Sequence, residues 1–372
     1  MEEEEDDKKK ATSLVGIKKE PKLKCSLDSR TQLLMKLIFN DDMFMDQMSA
    51  LNLDVKKMPL GKLSKTQILK GLEVLIDIEK ELNGKRNHQT LQNLSSKFYT
   101  VVPHSFGRSV PPVINLLSIV DQKKDMMMTL TDIEIAQSLQ KEKIEDQSLH
   151  PIDMNYQKMG CKLEHIDSKS EDFKMIQKYA TACKNTRAGK LLDVWEVDRP
   201  SQVARFSQHD DIKYRKLLWH GTNVAVVAAI LKAGLRIMPH SGGLVGKGIY
   251  FASEHAKSSW YVGAHHGTFE GEKNIGFMFL TEVALGKMNF IKQVSSGLTA
   301  PPKGFDSVVA RGKLEPDPKK DIKKEFEGHD VIVPVGAPVP QKEFKDSNFT
   351  QSEYLVYKES QARIRYLLKF SF

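Results

Sequence analysis

The chain has 372 residues, of which 40% are hydrophobic and 28% are charged, with a formal net charge of +8. This composition is that of globular proteins and excludes a fibrous or mainly disordered chain, and the length predicts two or three domains. No apolar run approaches the roughly 18 residues of a membrane-spanning helix, and the charged start, Met1 to Lys10, is unlike a signal peptide. We therefore expect a soluble, unsecreted protein without a membrane partner.

The three cysteines, Cys25, Cys161 and Cys183, are widely separated and contain no CxxC pair. Such an odd, dispersed set argues against a disulfide framework and against a structural zinc site. We expect a reducing compartment and no metal. The excess positive charge permits an anionic partner such as nucleic acid, but it is modest and dispersed along the chain.

The first 25 residues predict a disordered charged tail. An acidic run from Glu2 to Asp7 precedes lysine-rich blocks at residues 8–10 and 18–24. Blocks of like charge bury no apolar surface and are usually solvated. The lysine blocks have two interpretations, a nuclear address or a flexible basic tail, and the sequence leaves both open.

Residues 26–150 carry the signals of an all-helical domain. Ser64 and Gln67 have the spacing of a capping box, and an apolar stripe follows until residues 83 and 84, Asn-Gly, where we expect the helix to end. Similar stripes, with apolar residues three or four apart, occur at 33–38 and 127–139. Prolines at 103, 111 and 112 are expected in connections between helices.

After residue 150 the pattern changes to short strands. Segments 277–284, 331–335 and 354–357 are rich in aromatic and β-branched residues and are bounded by Gly, Pro or Asn. Near the C-terminus, apolar side chains alternate with mostly charged ones, which predicts a strand with Ile364, Tyr366, Leu368 and Phe370 on one face. Residues 151–372 therefore predict an α+β domain with antiparallel β-sheets.

A glycine-dense stretch at residues 241–248, Ser-Gly-Gly-Leu-Val-Gly-Lys-Gly, is the first candidate site. A Walker A loop would need glycine at 241 and serine or threonine at 248, and the GxGxxG spacing of a Rossmann fingerprint is absent as well. By itself the stretch is typical of a mobile surface loop.

The segments around this stretch carry three motifs in a fixed order. They read Leu-Leu-Trp-His-Gly-Thr at 217–222, Gly-Ile-Tyr-Phe-Ala-Ser at 248–253 and Ser-Glu-Tyr-Leu-Val-Tyr at 352–357. Together they resemble the catalytic domain of the poly(ADP-ribose) polymerase family, the diphtheria-toxin-like ADP-ribosyltransferases with a His-Tyr-Glu triad. Residues 57–64 and 98–104 resemble the regulatory helical domain of that family, so the resemblance covers about residues 26–372. Several stretches look most similar to the third DNA-break-responsive member, and these are 222–250, 304–312 and 351–357.

The resemblance implies a catalytic triad of His220, Tyr250 and Glu353, with NAD as the substrate and no metal. His220 would hydrogen-bond the adenosine ribose, and Tyr250 with Tyr261 would sandwich the nicotinamide ring through stacking and cation–π attraction. Glu353 would stabilise the positive charge that develops on the ribose when nicotinamide leaves, as in glycoside hydrolysis. Alone, each of these residues would more often be a structural one.

Further positions of the family pattern match less specific residues. Gly221 and Ser258 match positions that hold the nicotinamide carboxamide. Gly234 and Arg236 match positions near the adenosine, and Lys257 matches one near the catalytic glutamate. Arg236 is equally explained as a structural ion-pair residue and Lys257 as a solvated one. The loop at 239–248 would form a wall over the NAD site.

The resemblance also implies a regulated, nuclear enzyme of the DNA-damage response, with the cytoplasm as a second compartment. The helical domain of the family restricts access to NAD until a signal, typically a DNA break, loosens it. The Trp-Gly-Arg domain of the DNA-dependent members is not visible here, because the three tryptophans precede Glu, His and Tyr. DNA ends are therefore a doubtful partner of this chain, for which two interpretations stay open, a natural short form or a truncated version without that domain.

The function predicted from the sequence is transfer of ADP-ribose, as single units or short chains, to acceptor proteins including the enzyme itself. Two other classes remain. A catalytically silent scaffold of the same fold would be favoured by a damaged triad, whereas all three triad residues are present. A basic nucleic-acid-binding module would need clustered lysines with interleaved aromatics, and the lysines here are scattered.

Overall fold

The computed structural model describes residues 23–142, 148–183, 189–237 and 243–372. Within these ranges, six helices precede the first strand, and α7 to α10 lie among the strands of the second half. The predicted tail falls almost entirely outside the described residues, and the domain boundary at residue 150 stays a prediction. The helices are α1 Ser29–Ile38, α2 Asp41–Ala50, α3 Lys65–Asn83, α4 His88–Val101, α5 Leu117–Lys141, α6 Pro151–Met159, α7 Glu171–Thr181, α8 Pro200–Phe206, α9 Val227–Ala233 and α10 His255–Ser259.

Helix α3 shows how local sequence determines the helical region, residues 23–142. Its N-cap is Ser64, whose hydroxyl accepts a hydrogen bond from the backbone N–H of Gln67 at 3.2 Å, and its C-cap is Gly84. The Gln67 side chain donates to the carbonyl of Val101 at 2.8 Å rather than returning to Ser64, so only half of the capping box forms. The predicted start and end of this helix are confirmed.

Helix α5 is the longest helix of the described region, and residues on several of its faces are buried. It packs against α3 on one side and against α9 and the turn before α9 on the other. Met127, Leu130 and Ile133 are fully buried, and so is most of Lys124, whose ammonium lies 2.8 Å from the Glu79 carboxylate. Helix α5 therefore joins the helical region to the rest of the fold.

The strands form two main sheets and one small one. The large sheet has the order β1-β2-β14-β6-β3-β11-β10, with β5 added beside β6, and the second sheet has the order β4-β13-β8-β7. All pairs are antiparallel except β3 with β11 and β7 with β8. The strands are β1 Lys162–His165, β2 Lys190–Asp198, β3 Arg215–Thr222, β4 Ile249–Phe251, β5 His265–Phe269, β6 Glu272–Ala284, β7 Met288–Ile291, β8 Ser307–Ala310, β9 Leu314–Pro316, β10 Ile322–Phe326, β11 His329–Val333, β12 Pro338–Pro340, β13 Glu353–Val356 and β14 Ala362–Ser371.

Strand β14 corrects one detail of the sequence prediction. A register shift in its pairing with β6, between Ile364 and Tyr366, interrupts the alternation of side chains. Ile364 and Leu367 consequently belong to one hydrophobic cluster, whereas Tyr366, Leu368 and Phe370 belong to the other. The predicted grouping of Ile364 with Tyr366 was therefore wrong, because a bulge moves side chains across the sheet without changing the sequence pattern.

The charged positions of β14 are buried as well, because the sheet is covered on both faces. Arg365 of β14 and Arg215 of β3 both bind the carboxylate of Glu282 on β6, at 2.7 Å and 2.8 Å. The Glu282 side chain has no exposed surface. These three side chains form a buried ionic network across the central strands, and we call it the Glu282 network.

The helical region and the sheets share one hydrophobic cluster and several polar contacts. The Trp195 indole N–H donates to the Thr31 hydroxyl at 3.0 Å, and the Asn223 amide donates to Gln47 Oε1 at 2.7 Å. Among the helices described, none combines the length and the hydropathy that crossing a bilayer requires. The helices and the sheets thus pack together around the cavity described next, and the predicted fold class is confirmed.

Candidate active site

A cavity of about 340 Å³ lies where β3, β4, β13 and α10 meet, and α5 of the helical region contributes to its wall. This volume is at the low end of the roughly 300–1,000 Å³ range of small-molecule sites. The structure brings seven of the nine predicted site residues to its lining, and these are His220, Gly221, Tyr250, Lys257, Ser258, Tyr261 and Glu353.

Backbone pairing explains why residues more than 100 positions apart converge there. Trp219 of β3 and Ala252, just after β4, exchange two backbone hydrogen bonds of 2.9 and 3.0 Å. Strand β4 in turn pairs with β13, where Tyr250 lies opposite Leu355. Consecutive pairing of β3, β4 and β13 thereby places the three predicted triad residues around one cavity.

His220 has a defined tautomer. Its Nδ1 lies 2.9 Å from the carbonyl oxygen of Tyr250, so Nδ1 carries a proton and donates it to that carbonyl. Burial lowers the pKa of His220, and the backbone hydrogen bond opposes this only partly. The ring is therefore neutral at pH 7, and its Nε2 is available as a hydrogen-bond acceptor for a ligand hydroxyl.

Tyr250 holds the described part of the glycine-rich loop. Its hydroxyl donates to the carbonyl of Gly246 at 2.7 Å and accepts from the N–H of Val245 at 3.0 Å. Gly246 has φ of +88°, and a Cβ there would lie 1.9 Å from the carbonyl oxygen of Leu298, so glycine is required. The loop lines the cavity through residues 243–248, and residues 239–242 lie outside the described residues.

Glu353 forms an ion pair inside the cavity. Its Oε1 lies 2.6 Å from Nζ of Lys257 on α10, and only 6% of the Glu353 side chain is exposed. The pair fixes the direction of the Glu353 carboxylate in a site that excludes much of the solvent. Lys257 is therefore an ion-pair partner of Glu353 rather than a solvated helix residue.

Gly221, Ser258 and Tyr261 form the other side of the cavity. A Cβ on Gly221 would lie 2.0 Å from the carbonyl oxygen of Ser258, so β3 and α10 pack this closely only because residue 221 is glycine. The Ser258 hydroxyl has no hydrogen-bond partner within the part of the chain that the structure describes. Tyr261 is 63% exposed, which leaves a ring face accessible for stacking on a ligand.

Gly234 and Arg236 do not line the cavity. Gly234 caps the C-terminus of α9 with φ of +82°, and a Cβ there would lie 2.6 Å from Nη1 of Arg199. Arg236 donates a short hydrogen bond to the carboxylate of Asp132 on α5. The alternative interpretation of Arg236 as an ion-pair residue thus agrees with the structure, and its partner belongs to the helical region.

The surroundings of Asp132 disfavour its charged form even though the carboxylate pairs with Arg236. Burial raises the pKa of Asp132 to about 6, and the charge and hydrogen bond of Arg236 offset that effect only in part. The contact is consequently an ion pair above about pH 6 and a neutral hydrogen bond below it.

Sequence reasoning missed Asp125 of α5 in the cavity wall, whereas Leu244 belongs to the loop at 239–248 that was expected there. Burial and the charge of Asp121 raise the pKa of Asp125, and Lys124 opposes this. Asp125 precedes Asp132 by seven residues, about two helical turns, so both carboxylates lie on the same face of α5. No local motif marks Asp125, because its role depends on how α5 docks.

Comparison with known proteins agrees with this arrangement over most of the chain. Residues 170–372 match the poly(ADP-ribose) polymerase catalytic domain, and residues 25–156 match the poly(ADP-ribose) polymerase regulatory domain. The chain belongs to the poly(ADP-ribose) polymerase family. The helical region is thus the regulatory part of a poly(ADP-ribose) polymerase fold, and the cavity lies in its catalytic part.

Individual relatives refine this assignment. The chain is 53% identical over 353 residues to the protein mono-ADP-ribosyltransferase PARP3 of Mus musculus, and 51% identical over 356 residues to that of Homo sapiens, with 93% of this chain covered in both cases. It is 33% identical over 378 residues to poly [ADP-ribose] polymerase 1 of Danio rerio, covering 100% of this chain and 36% of that protein. The predicted similarity to the third DNA-break-responsive member is confirmed. The chain spans 65–66% of the length of the two PARP3 proteins.

Proposed function

We propose that this chain is an NAD-dependent ADP-ribosyltransferase that cleaves the bond between nicotinamide and ribose and transfers ADP-ribose to protein acceptors. The observation that carries the proposal is the meeting of His220, Tyr250 and Glu353 around one cavity. Family membership supports it, and so does the name of the PARP3 relatives, protein mono-ADP-ribosyltransferase.

The residues of the cavity fit the parts of NAD. The Gly221 backbone and the Ser258 hydroxyl, which has no hydrogen-bond partner among the described residues, suit the nicotinamide carboxamide. The Tyr250 and Tyr261 rings suit a flat, partly cationic pyridinium. The neutral His220 offers Nε2 as an acceptor to a ribose hydroxyl. Each of these groups binds or orients the substrate, so together they hold the bond between nicotinamide and ribose beside Glu353.

Glu353 supplies the electrostatic part of the reaction. As nicotinamide departs with the bonding electron pair, the ribose carbon gains oxocarbenium character, and a nearby carboxylate stabilises that charge. The same carboxylate then accepts a proton from the incoming acceptor hydroxyl or carboxyl group. Lys257, at 2.6 Å, fixes the position of Glu353 before the substrate arrives.

The helical region has a regulatory role in this proposal. Asp125 extends a carboxylate to the cavity wall, and Asp132 binds Arg236, the residue expected near the adenosine. Both contacts disfavour an anionic dinucleotide while α5 is docked, since a like charge repels the pyrophosphate and the paired Arg236 is not free to contact the ligand. Loosening of α5 would remove both effects.

Family membership also supports a proposal about acceptors, products and location. We propose mono- or short-chain ADP-ribosylation of proteins, including the enzyme itself, in the DNA-damage response in the nucleus, with the cytoplasm as a second compartment. DNA ends as activators stay a prediction for this chain. Salt-sensitive stimulation by nicked duplex DNA that disappears on deletion of residues 1–25 would support contact through the charged tail.

The first experiment measures nicotinamide release from NAD and counts the ADP-ribose units attached to protein. It compares the wild type with Glu353→Gln and with a matched control, Glu343→Gln, because Glu343 is exposed and lies outside the cavity. Each protein is assayed with and without nicked DNA. We expect release to collapse in Glu353→Gln and to persist in the control.

Two results would redirect the proposal. If the wild type binds NAD by calorimetry yet releases no nicotinamide with or without nicked DNA, the scaffold interpretation replaces the enzyme. If Glu353→Gln releases nicotinamide as fast as the control, the glutamate is not the catalytic group and the cavity has been assigned the wrong chemistry.

A further inference from the structure

A second cluster of reactive side chains lies outside the cavity, where the segment before α1 contacts the start of α6. Cys25, His150 and Asp153 each direct one ligand-type atom toward the others, and these atoms all lie within 4.8 Å of one another. Cys25 Sγ is 3.1 Å from Asp153 Oδ1. None of the three residues lines the candidate active site, and nothing in the proposed reaction uses them.

We propose that Cys25, His150 and Asp153 bind a divalent transition-metal ion, with zinc as the best match. Thiolate, imidazole and carboxylate are the three ligand types that zinc takes in proteins, at about 2.3, 2.0–2.1 and 2.0–2.2 Å. Tetrahedral bonds of those lengths separate sulfur from oxygen or nitrogen by about 3.5 Å. Cys25 and Asp153 are already near that separation, and small side-chain movements bring the imidazole into range.

The surroundings of Asp153 are those of an oriented metal ligand. The carboxylate is 4% exposed and accepts hydrogen bonds from the Ser26 backbone N–H, at 3.0 Å to Oδ2, and from the Ser26 hydroxyl, at 3.1 Å to Oδ1. Such outer contacts fix the direction of a ligating carboxylate and raise the affinity of metal sites. Cys25 and His150 are only partly buried, so an ion can enter from solvent.

Metal binding changes two groups in defined ways. Without metal the Cys25 thiol donates a hydrogen bond to Asp153 Oδ1 at 3.1 Å and so carries its proton. When the ion binds, the S–H bond gives way to an S–metal bond and the proton leaves to solvent. The Nδ1 of His150 now accepts from the N–H of Ile152, and ligation through that nitrogen replaces this hydrogen bond with a metal–ligand bond.

The ion would cross-link the two ends of the helical region. Cys25 precedes α1, and His150 is the N-cap residue of α6, so the two positions bracket helices α1 to α5. Cys25 and Asp153 are 128 residues apart, which is why no metal-binding spacing is visible in the sequence. Thiolate and carboxylate together neutralise the divalent charge, leaving a fourth coordination position for water.

The test uses the full chain, freed of metal by a chelator and titrated with cobalt(II), whose spectrum reports tetrahedral thiolate sites. We expect stoichiometric binding with a thiolate-to-cobalt charge-transfer band and visible ligand-field bands, both displaced by zinc. Cys25→Ser should lose the charge-transfer band. His150→Gln should weaken binding by more than the roughly 10–100-fold that loss of an outer-shell contact costs.

Cys183→Ser is the matched control, because Cys183 is also a half-buried free cysteine, and its thiol donates a hydrogen bond to Glu254 at 3.5 Å, away from the proposed site. It should keep the full cobalt spectrum. Circular dichroism of the metal-free variants establishes whether Cys25→Ser and His150→Gln are folded. If Cys25→Ser does not fold, His150→Gln alone tests the site. Absence of the spectrum in the wild type, its persistence in both site variants, or its loss in Cys183→Ser would overturn the proposal.

Discussion

A close backbone approach in the active site concerns Gly221, and it gives the sharpest prediction. In Gly221→Ala the new Cβ would lie 2.0 Å from the Ser258 carbonyl oxygen, and ordinary contact begins at 3.4 Å, so about 1.4 Å of movement is required. The obstacle is backbone, and the same carbonyl accepts a hydrogen bond from the N–H of Tyr261 at 3.0 Å. Helix α10 must therefore shift as a unit relative to β3.

That shift displaces the residues expected to hold nicotinamide. A misplacement of about 1 Å at a reacting group costs on the order of 100-fold in rate, which corresponds to about 2.7 kcal/mol. Overpacking a buried contact also lowers the free energy of unfolding, by about 1–3 kcal/mol. We therefore expect Gly221→Ala to remain folded with a lowered melting temperature and to lose about 100-fold in kcat/KM for nicotinamide release.

Gly297→Ala is the control, because a Cβ at that exposed glycine meets nothing within 4 Å. Both variants are assayed for nicotinamide release well below their own melting temperatures, which differential scanning fluorimetry provides. Wild-type kcat/KM in Gly221→Ala would refute the reasoning, since it would mean that β3 and α10 separate without affecting the site. An equal loss in Gly297→Ala would show that the effect is not specific to the contact.

Three further changes test other parts of the structure. Asp132→Lys should repel Arg236, and we expect faster hydrogen exchange in α5 together with higher basal nicotinamide release; unchanged exchange would mean that the pair does not hold α5. Glu282→Gln should lower the free energy of unfolding of the sheets by about 3 kcal/mol, because it removes the one buried carboxylate of the network and leaves its two arginines only the exposed Asp210 and Glu327 as counter-charges; denaturant unfolding followed by tryptophan fluorescence measures this, and a shift under about 1 kcal/mol would contradict it. Lys257→Met should reduce nicotinamide release about tenfold or more, because the Glu353 carboxylate loses the partner that fixes its position; unchanged release would exclude Lys257 from this role.

Local signals in the sequence predicted those elements whose structure depends on local contacts. Ser64 predicted the start of α3 because a cap needs only the next three residues, and the apolar segments at 277–284 and 354–357 predicted strands. The bulge in β14 was not predictable, because it depends on how β6 pairs with that strand rather than on the strand's own residues. The parallel pairs β3–β11 and β7–β8 were missed for the same reason.

The same distinction explains which site residues were predicted. His220, Tyr250 and Glu353 lie in short motifs with fixed neighbours, so the family resemblance located them from the sequence alone. Gly234 and Arg236 match the same pattern, yet in this structure the first caps a helix and the second binds Asp132, outside the cavity. A motif identifies a residue but does not specify the partner that the residue has in one particular state of the protein.

Arg236 shows why that partner matters for function. While α5 is docked, this guanidinium is paired with a carboxylate of the helical region. In the proposed function, loosening of α5 frees it to contact the adenosine part of NAD, so Asp132 and the dinucleotide would compete for one side chain and stronger binding to one would weaken binding to the other. NAD should accordingly loosen α5 by the same factor by which loosening of α5 strengthens NAD binding, because coupling between two equilibria is reciprocal.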